Sequence, residues 1–149
     1  MERFPERGSA LLPALCYLRD RDGYVSKEGM MSIAVILDLP DARVFSVASF
    51  YSMLNLEPEG KYIIQICTNL VCTLLTENPL LEYISNSLGI REGEVTPDGL
   101  FSIREVECLG ACGYAPAMQI NEERYENLTF EKVDEIIGSI RSSEGQGGK

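Results

Sequence analysis

The stretch KYIIQICTNLVC, residues 61–72, joins a nearly continuous apolar run to two closely spaced cysteines. The first part of the run is rich in β-branched and aromatic side chains, which is typical of a buried strand. Residues five apart point to opposite faces of a strand and lie about 140° apart around a helix. Cys67 and Cys72 can therefore share one site only if residues 68–71 form a loop after the strand.

A second pair of cysteines follows a second predicted strand. Residues 100–106 form that strand, and Cys108 and Cys112 come soon after it in the run ECLGACG. Two residues four apart share one face of a helix, but Gly110 and its small neighbours favour a loop. If the two strands are neighbours in one sheet, both cysteine loops can lie at the same end of that sheet.

The chain after residue 57 alternates strand and helix signals. A helix opens at Asn78 and Pro79 and is stopped by Gly89, and a last helix is capped by Thr129. Two further short strands are predicted, at residues 117–120 and around Arg124 and Tyr125. The resulting order of one strand, a helix, three strands and a helix is similar to a thioredoxin-like layer.

Residues 1–57 carry the pattern of three short amphipathic helices, which predicts a small bundle. Ser9 and Ser26 stand where the N-caps of the first two helices are expected. Gly23 marks the end of the first helix, and Pro40 lies near the first turn of the third. The predicted organisation is α+β: a helical bundle over residues 1–57, an α/β domain over residues 58–141 and a disordered tail over residues 142–149.

The composition excludes several classes of function. The chain has 23 acidic and 13 basic residues, a net charge of −10 and no histidine. Such a chain does not suit nucleic acid, and the missing imidazole excludes Ser-His-Asp and Cys-His catalysis, histidine-bound zinc and Rieske clusters. Without a signal peptide or a long apolar run, we expect a cytoplasmic protein with no direct membrane insertion. It is either free there or held at the inner face of a membrane through partners.

Four cysteines on two loops fit three kinds of site. A [2Fe–2S] cluster takes four thiolates and close backbone approach to the sulfurs, which the small residues beside Cys112 permit. A structural zinc ion also takes four cysteines, more often in C-x2-C pairs. A thiol oxidoreductase favours C-x-x-C or one exposed cysteine of low pKa. The spacings leave all three open.

Four other residues have a structural and a functional interpretation. Cys16 occupies an apolar helix position, which indicates a small core thiol. Pro116 precedes a predicted strand, where it is either the cis-proline of thioredoxin-like folds or an ordinary trans-proline. Glu105 and Glu107 belong to a solvated acidic face, yet negative charge beside a cluster also lowers its reduction potential.

Several motifs together resemble one family. They are CTNLVC from Cys67, EVTPDGLF over residues 94–101 and VECLGACGYAP over residues 106–116, with GYVS from Gly23, VASFYS from Val47 and NLTFEKV from Asn127. Over residues 10–140 the chain is similar to the thioredoxin-like [2Fe–2S] ferredoxin component of complex I, which is the E-type subunit of NADH-quinone oxidoreductase. The same family occurs in NAD-reducing and electron-bifurcating hydrogenases and in NAD-dependent formate dehydrogenases.

The resemblance implies a fold, a cofactor and a set of partners. It implies a short helical bundle followed by a thioredoxin-like α/β domain, with a [2Fe–2S] cluster bound by Cys67, Cys72, Cys108 and Cys112. It further implies one-electron transfer as part of an NAD(H)-dependent oxidoreductase, with no catalysis by the chain alone. The partners are a flavoprotein subunit that binds FMN and NAD(H) and further iron–sulfur subunits. The alternative is a zinc-stabilised interaction module built on the same four cysteines.

Overall fold

A computed structural model describes Phe4 and residues 6–76 and 79–146 of the chain. Within these ranges the chain is α+β, as predicted, and it divides into two compact units between Glu59 and Gly60. The first unit is helical, and the second contains a four-stranded sheet. None of the helices in these ranges combines the length and the apolar character that crossing a membrane requires.

Three helices form the first unit: α1 (Leu11–Asp22), α2 (Lys27–Leu37) and α3 (Asp41–Phe50). The apolar cluster of this unit buries Leu15, Val25, Val44 and Ala48 completely. Short helices of this kind are stable because they pack their apolar faces together. Cys16 lies half-buried against the same cluster, as predicted for a core thiol.

The predicted helix ends are correct at two positions and wrong at one. The Ser26 hydroxyl accepts a hydrogen bond from the Gly29 N–H at 3.1 Å, and Gly23 ends α1 in left-handed backbone at φ +83°. Ser9 is not an N-cap, because it lies inside a 3-10 turn, Arg7–Ala10, that runs directly into α1. The i to i+3 bonding of that turn takes the place of a hydroxyl cap.

The second unit contains β1 (Tyr62–Cys67), α4 (Leu70–Leu74), α5 (Leu80–Leu88), β2 (Phe101–Val106), β3 (Met118–Ile120), β4 (Glu123–Tyr125) and α6 (Phe130–Gln146). Its strands lie in the order β2-β1-β3-β4. Strand β1 is parallel to β2 and antiparallel to β3, and β3 is antiparallel to β4. The four predicted strands are therefore confirmed, while Asn78, at the predicted start of α5, lies outside the described residues.

The core of the second unit lies where α5 and α6 pack on the sheet. Ile64 and Ile66 of β1, Phe101 of β2, Ile84 of α5 and Val133 of α6 each expose at most 1% of their surface. Strand β1 pairs on both edges, so its ladder hydrogen bonds are satisfied within the sheet. The carboxyl ends of β1 and β2 therefore leave a rigid, buried support.

Helix α6 is longer than the sequence predicts. A disordered tail is predicted over residues 142–149, whereas α6 continues to Gln146; the rest of the predicted tail lies outside the described residues. The Glu144 carboxylate accepts hydrogen bonds from Lys61 Nζ at 2.7 Å and from the Tyr62 hydroxyl at 2.8 Å. This tertiary contact stabilises a segment whose serines and glycine are weak helix formers.

Gly60 and Gly138 form a matched pair for testing the packing. A Cβ at Gly60 would lie 2.4 Å from the carbonyl carbon of Phe101, whereas one at Gly138, on an exposed part of α6, would approach nothing within 4 Å outside its own helix. We expect Gly60→Ala to lower the free energy of unfolding by about 1–3 kcal/mol. We expect Gly138→Ala to raise it by about 0.5–1 kcal/mol. Urea denaturation measures both, and equal stabilities would contradict the close approach of residue 60 to β2.

Glu144→Gln tests the contact at the end of α6. The hydrogen bond from Lys61, followed by that from Tyr62, lowers the pKa of Glu144 in the folded protein. The contact therefore stabilises the fold above the pH at which the unfolded carboxyl ionises, and this contribution is lost as the pH falls through the folded pKa. We expect faster amide exchange over residues 142–146 in the variant at neutral pH and no difference in acid. Hydrogen–deuterium exchange measures this; Glu135→Gln, an exposed change on the same helix, is the control, and equal protection at neutral pH would refute the contact.

Candidate metal centre

Two of the cysteines are placed by the parallel pairing of β1 and β2. Cys67 is the last residue of β1 and pairs with Val106, the last residue of β2. Parallel strands end at the same edge of a sheet, so the loop that carries Cys108 leaves the sheet beside Cys67. The Thr68 N–H donates to the Val106 carbonyl at 3.1 Å and ties the two strand ends together. The predicted convergence of both loops at one end of the sheet is confirmed.

The sheet order also directs the second loop across the end of β1. The loop that begins after β2 ends at β3, and β3 lies on the opposite edge of β1. Because β3 is antiparallel to β1 and pairs Met118 with Ile66, it starts at the edge where β1 ends. The loop that contains Cys108 and Cys112 must therefore pass the carboxyl end of β1, where Cys67 lies.

The link between Cys67 and Cys72 is not the open loop predicted over residues 68–71. The short helix α4 begins at Leu70 and contains Cys72. Thr73 closes its first turn through its N–H and its hydroxyl, which donate to backbone carbonyls at 3.0 and 3.1 Å. A helix of five residues is too short to show a period in the sequence. The consequence for the site is unchanged, since Cys72 still comes back into contact with Cys67.

Cys108 and Cys112 lie in the loop that the small residues predict. Gly110 adopts φ +70°, a left-handed conformation that disfavours any side chain, and its N–H donates to the Cys108 Sγ at 3.2 Å. Cys112 opens a single 3-10 turn, Cys112–Tyr114, so the two cysteines do not share a helix. Both residues of this pair are exposed, in contrast to those of the first pair.

The Ala115–Pro116 peptide bond is cis, which decides between the two alternatives that the sequence leaves open. The following residue, Ala117, accepts a hydrogen bond from the Cys67 N–H at 3.3 Å. Pro116 also lines, together with Cys67 and Cys72, a cleft of about 30 Å³, close to the space that one water molecule takes in the liquid. The second loop thus returns to the sheet directly beside the first cysteine pair.

The thiols act on one another electrostatically. Burial raises the pKa of the Cys67 thiol, but hydrogen bonds lower it by more, so the net shift is downward. The groups responsible are the N–H groups of Asn69 and Leu109 and the thiols of Cys72 and Cys108. The pKa of Cys72 is raised, first by burial and then by its contact with Cys67, with a smaller contribution from Cys112. Each of the four cysteines therefore interacts with another thiol of the set.

The donor set fits a [2Fe–2S] cluster. Within the described ranges, no three Cys, Asp or Glu side chains converge as ligands of one ion. A two-iron cluster takes two thiolates on each iron and accepts hydrogen bonds at its sulfurs. Cys67 interacts with Cys72 and Cys108, and Cys72 interacts with Cys112. Backbone N–H groups, that of Gly110 among them, already donate to two of these sulfurs. Thiolates and donors of the required kind are both present.

Thr68 and Glu105 carry a contact beside the site that the sequence does not reveal. Thr68 directly follows Cys67, and its hydroxyl donates to the Glu105 carboxylate at 2.7 Å. The sequence assigns Glu105 only to an acidic face, and a threonine at the end of a strand is common enough to attract no notice. The signal appears only when β1 and β2 lie side by side, because the two residues are 37 positions apart.

Comparison with known proteins gives consistent matches. The family model described as thioredoxin-like [2Fe-2S] ferredoxin matches residues 1–141. The E2 subunit of NADH-quinone oxidoreductase from Rhizobium meliloti is 38% identical over 142 residues, covering 95% of this chain and 84% of that protein. The E-type subunit from Mycobacterium tuberculosis is 37% identical over 140 residues, covering 94% of this chain, which spans about half of that protein, 56% of its length. The crystal structure of an NAD+-reducing [NiFe]-hydrogenase in the air-oxidised state shares the fold, with a TM-score of 0.76 at 23% identity, over 90% of this chain and 23% of that one.

Proposed function

Because the chain belongs to the thioredoxin-like [2Fe-2S] ferredoxin family, we propose that Cys67, Cys72, Cys108 and Cys112 bind its [2Fe–2S] cluster. The protein then transfers single electrons as one component of an NAD(H)-dependent oxidoreductase. The observation that carries the proposal is the meeting of two cysteine loops at the ends of two parallel strands.

The two cysteine pairs have different environments in this proposal. Cys67 and Cys72 are buried, with 6% and 4% of their surface exposed, and form the protein side of the site. Cys108 and Cys112 are exposed and form its solvent side. When bound, a [2Fe–2S] cluster takes up and releases one electron at a time. The exposed pair allows that electron to pass to or from a partner without crossing the sheet.

The backbone prepares the site for negative charge. The N–H groups of Asn69 and Leu109 donate to Cys67, and the N–H of Gly110 donates to Cys108. Hydrogen bonds to thiolate sulfurs stabilise their charge and tune the reduction potential. These residues hold two of the four thiolates in a form that is ready for iron.

The kind of partner follows from electron counting. NAD(H) exchanges two electrons as a hydride, whereas this site handles one, so a flavin must stand between them. The sequence of this chain has no G-x-G-x-x-G or phosphate-loop motif for a nucleotide. We therefore assign FMN and NAD(H) to a neighbouring flavoprotein subunit, with further iron–sulfur subunits in the same complex. The names of the relatives as NADH-quinone oxidoreductase subunits support this arrangement.

Replacing each of the four cysteines by alanine tests the site. We expect the wild-type protein, purified without oxygen, to contain about two iron and two acid-labile sulfide ions per chain. Each alanine variant loses most of both, because alanine cannot bind iron. Cys16→Ala, in the first unit, is the matched control and keeps the full content. Iron and sulfide assays measure this, together with the EPR signal after chemical reduction.

Two results would contradict this assignment. Full cluster absorbance in Cys112→Ala would remove that residue from the ligand set. One zinc ion and no sulfide in the wild type, persisting after iron–sulfur reconstitution, would point to the zinc-stabilised module instead.

Purification of the tagged chain from its own cells tests the partner. We expect stoichiometric flavin in the complex, and we expect NADH to produce the EPR signal of the reduced cluster there. The isolated chain gives this signal with a chemical reductant but not with NADH, because it has no nucleotide site. Reduction of the isolated chain by NADH, or a complex without flavin, would contradict the proposal.

A further inference from the structure

We propose that Glu105, held in place by the hydroxyl of Thr68, keeps the reduction potential of the metal centre low. This inference rests on the proposed function, because it needs a cluster at the four cysteines. Thr68 is a positioning residue here: it acts through Glu105, and the Glu105 charge acts on the added electron.

The contacts place Glu105 between the two cysteine loops. The Thr68 hydroxyl donates to Glu105 Oε1 at 2.7 Å, and Thr68 itself follows Cys67 directly. Glu105 lies in β2, pairs with Ile66 of β1 and precedes Cys108 by three positions. The hydrogen bond therefore joins the two segments that leave the sheet toward the site.

Both residues are also fixed by their backbones. The Thr68 N–H donates to the Val106 carbonyl at 3.1 Å, and the Glu105 N–H donates to Glu92 Oε1 at 3.1 Å. Within the described ranges, Glu105 takes part in none of the four salt bridges. Its carboxylate is therefore oriented by the Thr68 hydroxyl and is not neutralised by an ion pair of that kind.

Charge and position together give the effect on the electron. One-electron reduction adds one negative charge at the site, and a nearby carboxylate repels that charge, which lowers the reduction potential. Glu105 is exposed, and the field of an exposed charge is screened by salt beyond about 8 Å. Its influence therefore depends on being held toward the cysteine edge. Without the hydroxyl of Thr68, the carboxylate turns into solvent and its effect weakens.

Redox titration monitored by EPR tests this in the intact chain. We expect Glu105→Gln, which removes the charge but keeps the shape, to shift the midpoint potential in the positive direction. Thr68→Val, which keeps the shape but lacks the hydroxyl, shifts it in the same direction by less. Thr68→Ser restores the wild-type potential, because it retains the donor. The double variant Thr68→Val/Glu105→Gln shifts the potential no further than Glu105→Gln alone, since both changes act through one carboxylate.

Glu122→Gln is the matched control for charge. Glu122 lies in the turn between β3 and β4, next to Asn121, whose N–H bonds to Ile63 at the other end of β1. The four-residue advance along β1 from Ile63 to Cys67 corresponds to about 13 Å. We expect this variant to keep the wild-type potential.

Iron and sulfide contents and the EPR line shape are measured for every variant. A fully loaded Glu105→Gln protein with the wild-type potential would overturn the inference and leave the proposed function intact. Equal shifts in Glu105→Gln and Glu122→Gln would also overturn it, because they would indicate a general effect of net charge. A wild-type chain that binds no cluster would overturn both the inference and the proposed function.

Discussion

The parallel pairing of β1 with β2 is the constraint on which the rest of the site depends. Its register runs from Tyr62 opposite Phe101 to Cys67 opposite Val106. A slip by one residue would turn every side chain of one strand to the other face of the sheet. Ile64 and Ile103 are opposite each other and almost completely buried, so such a slip is costly. The packing of the core therefore sets the position of the cysteines.

The connections that this pairing requires also build the site. Parallel neighbours need a crossover, and the crossover from β1 begins with α4, which contains Cys72. The chain leaving β2 then crosses to the opposite edge of β1 and carries Cys108 and Cys112 past its end. A central strand with one neighbour on each side thus brings both loops to Cys67. The same family relationship that the cysteine motifs indicate is confirmed by the family match over residues 1–141.

Local signals in the sequence were reliable where a residue acts through its own backbone. Gly23 and Gly89 end helices in left-handed conformations, and the Ser26 and Thr129 hydroxyls accept hydrogen bonds at N-caps. They failed where a distant contact or a very short element decides the structure. Ser9 is not a cap, Cys72 lies in a helix of one turn, and α6 extends to Gln146 because Glu144 contacts β1 residues.

The sequence by itself determined the α+β class, the four strands and the four cysteines that matter, because burial patterns and cysteine spacing are local properties of the chain. Tertiary structure alone decided three other things: that β1 and β2 are parallel, that Cys67 and Cys72 are buried while Cys108 and Cys112 are exposed, and that Thr68 meets Glu105. Each of these depends on residues more than thirty positions apart. No short-range pattern records such contacts, since they form only when the apolar faces of the strands and helices pack into one core.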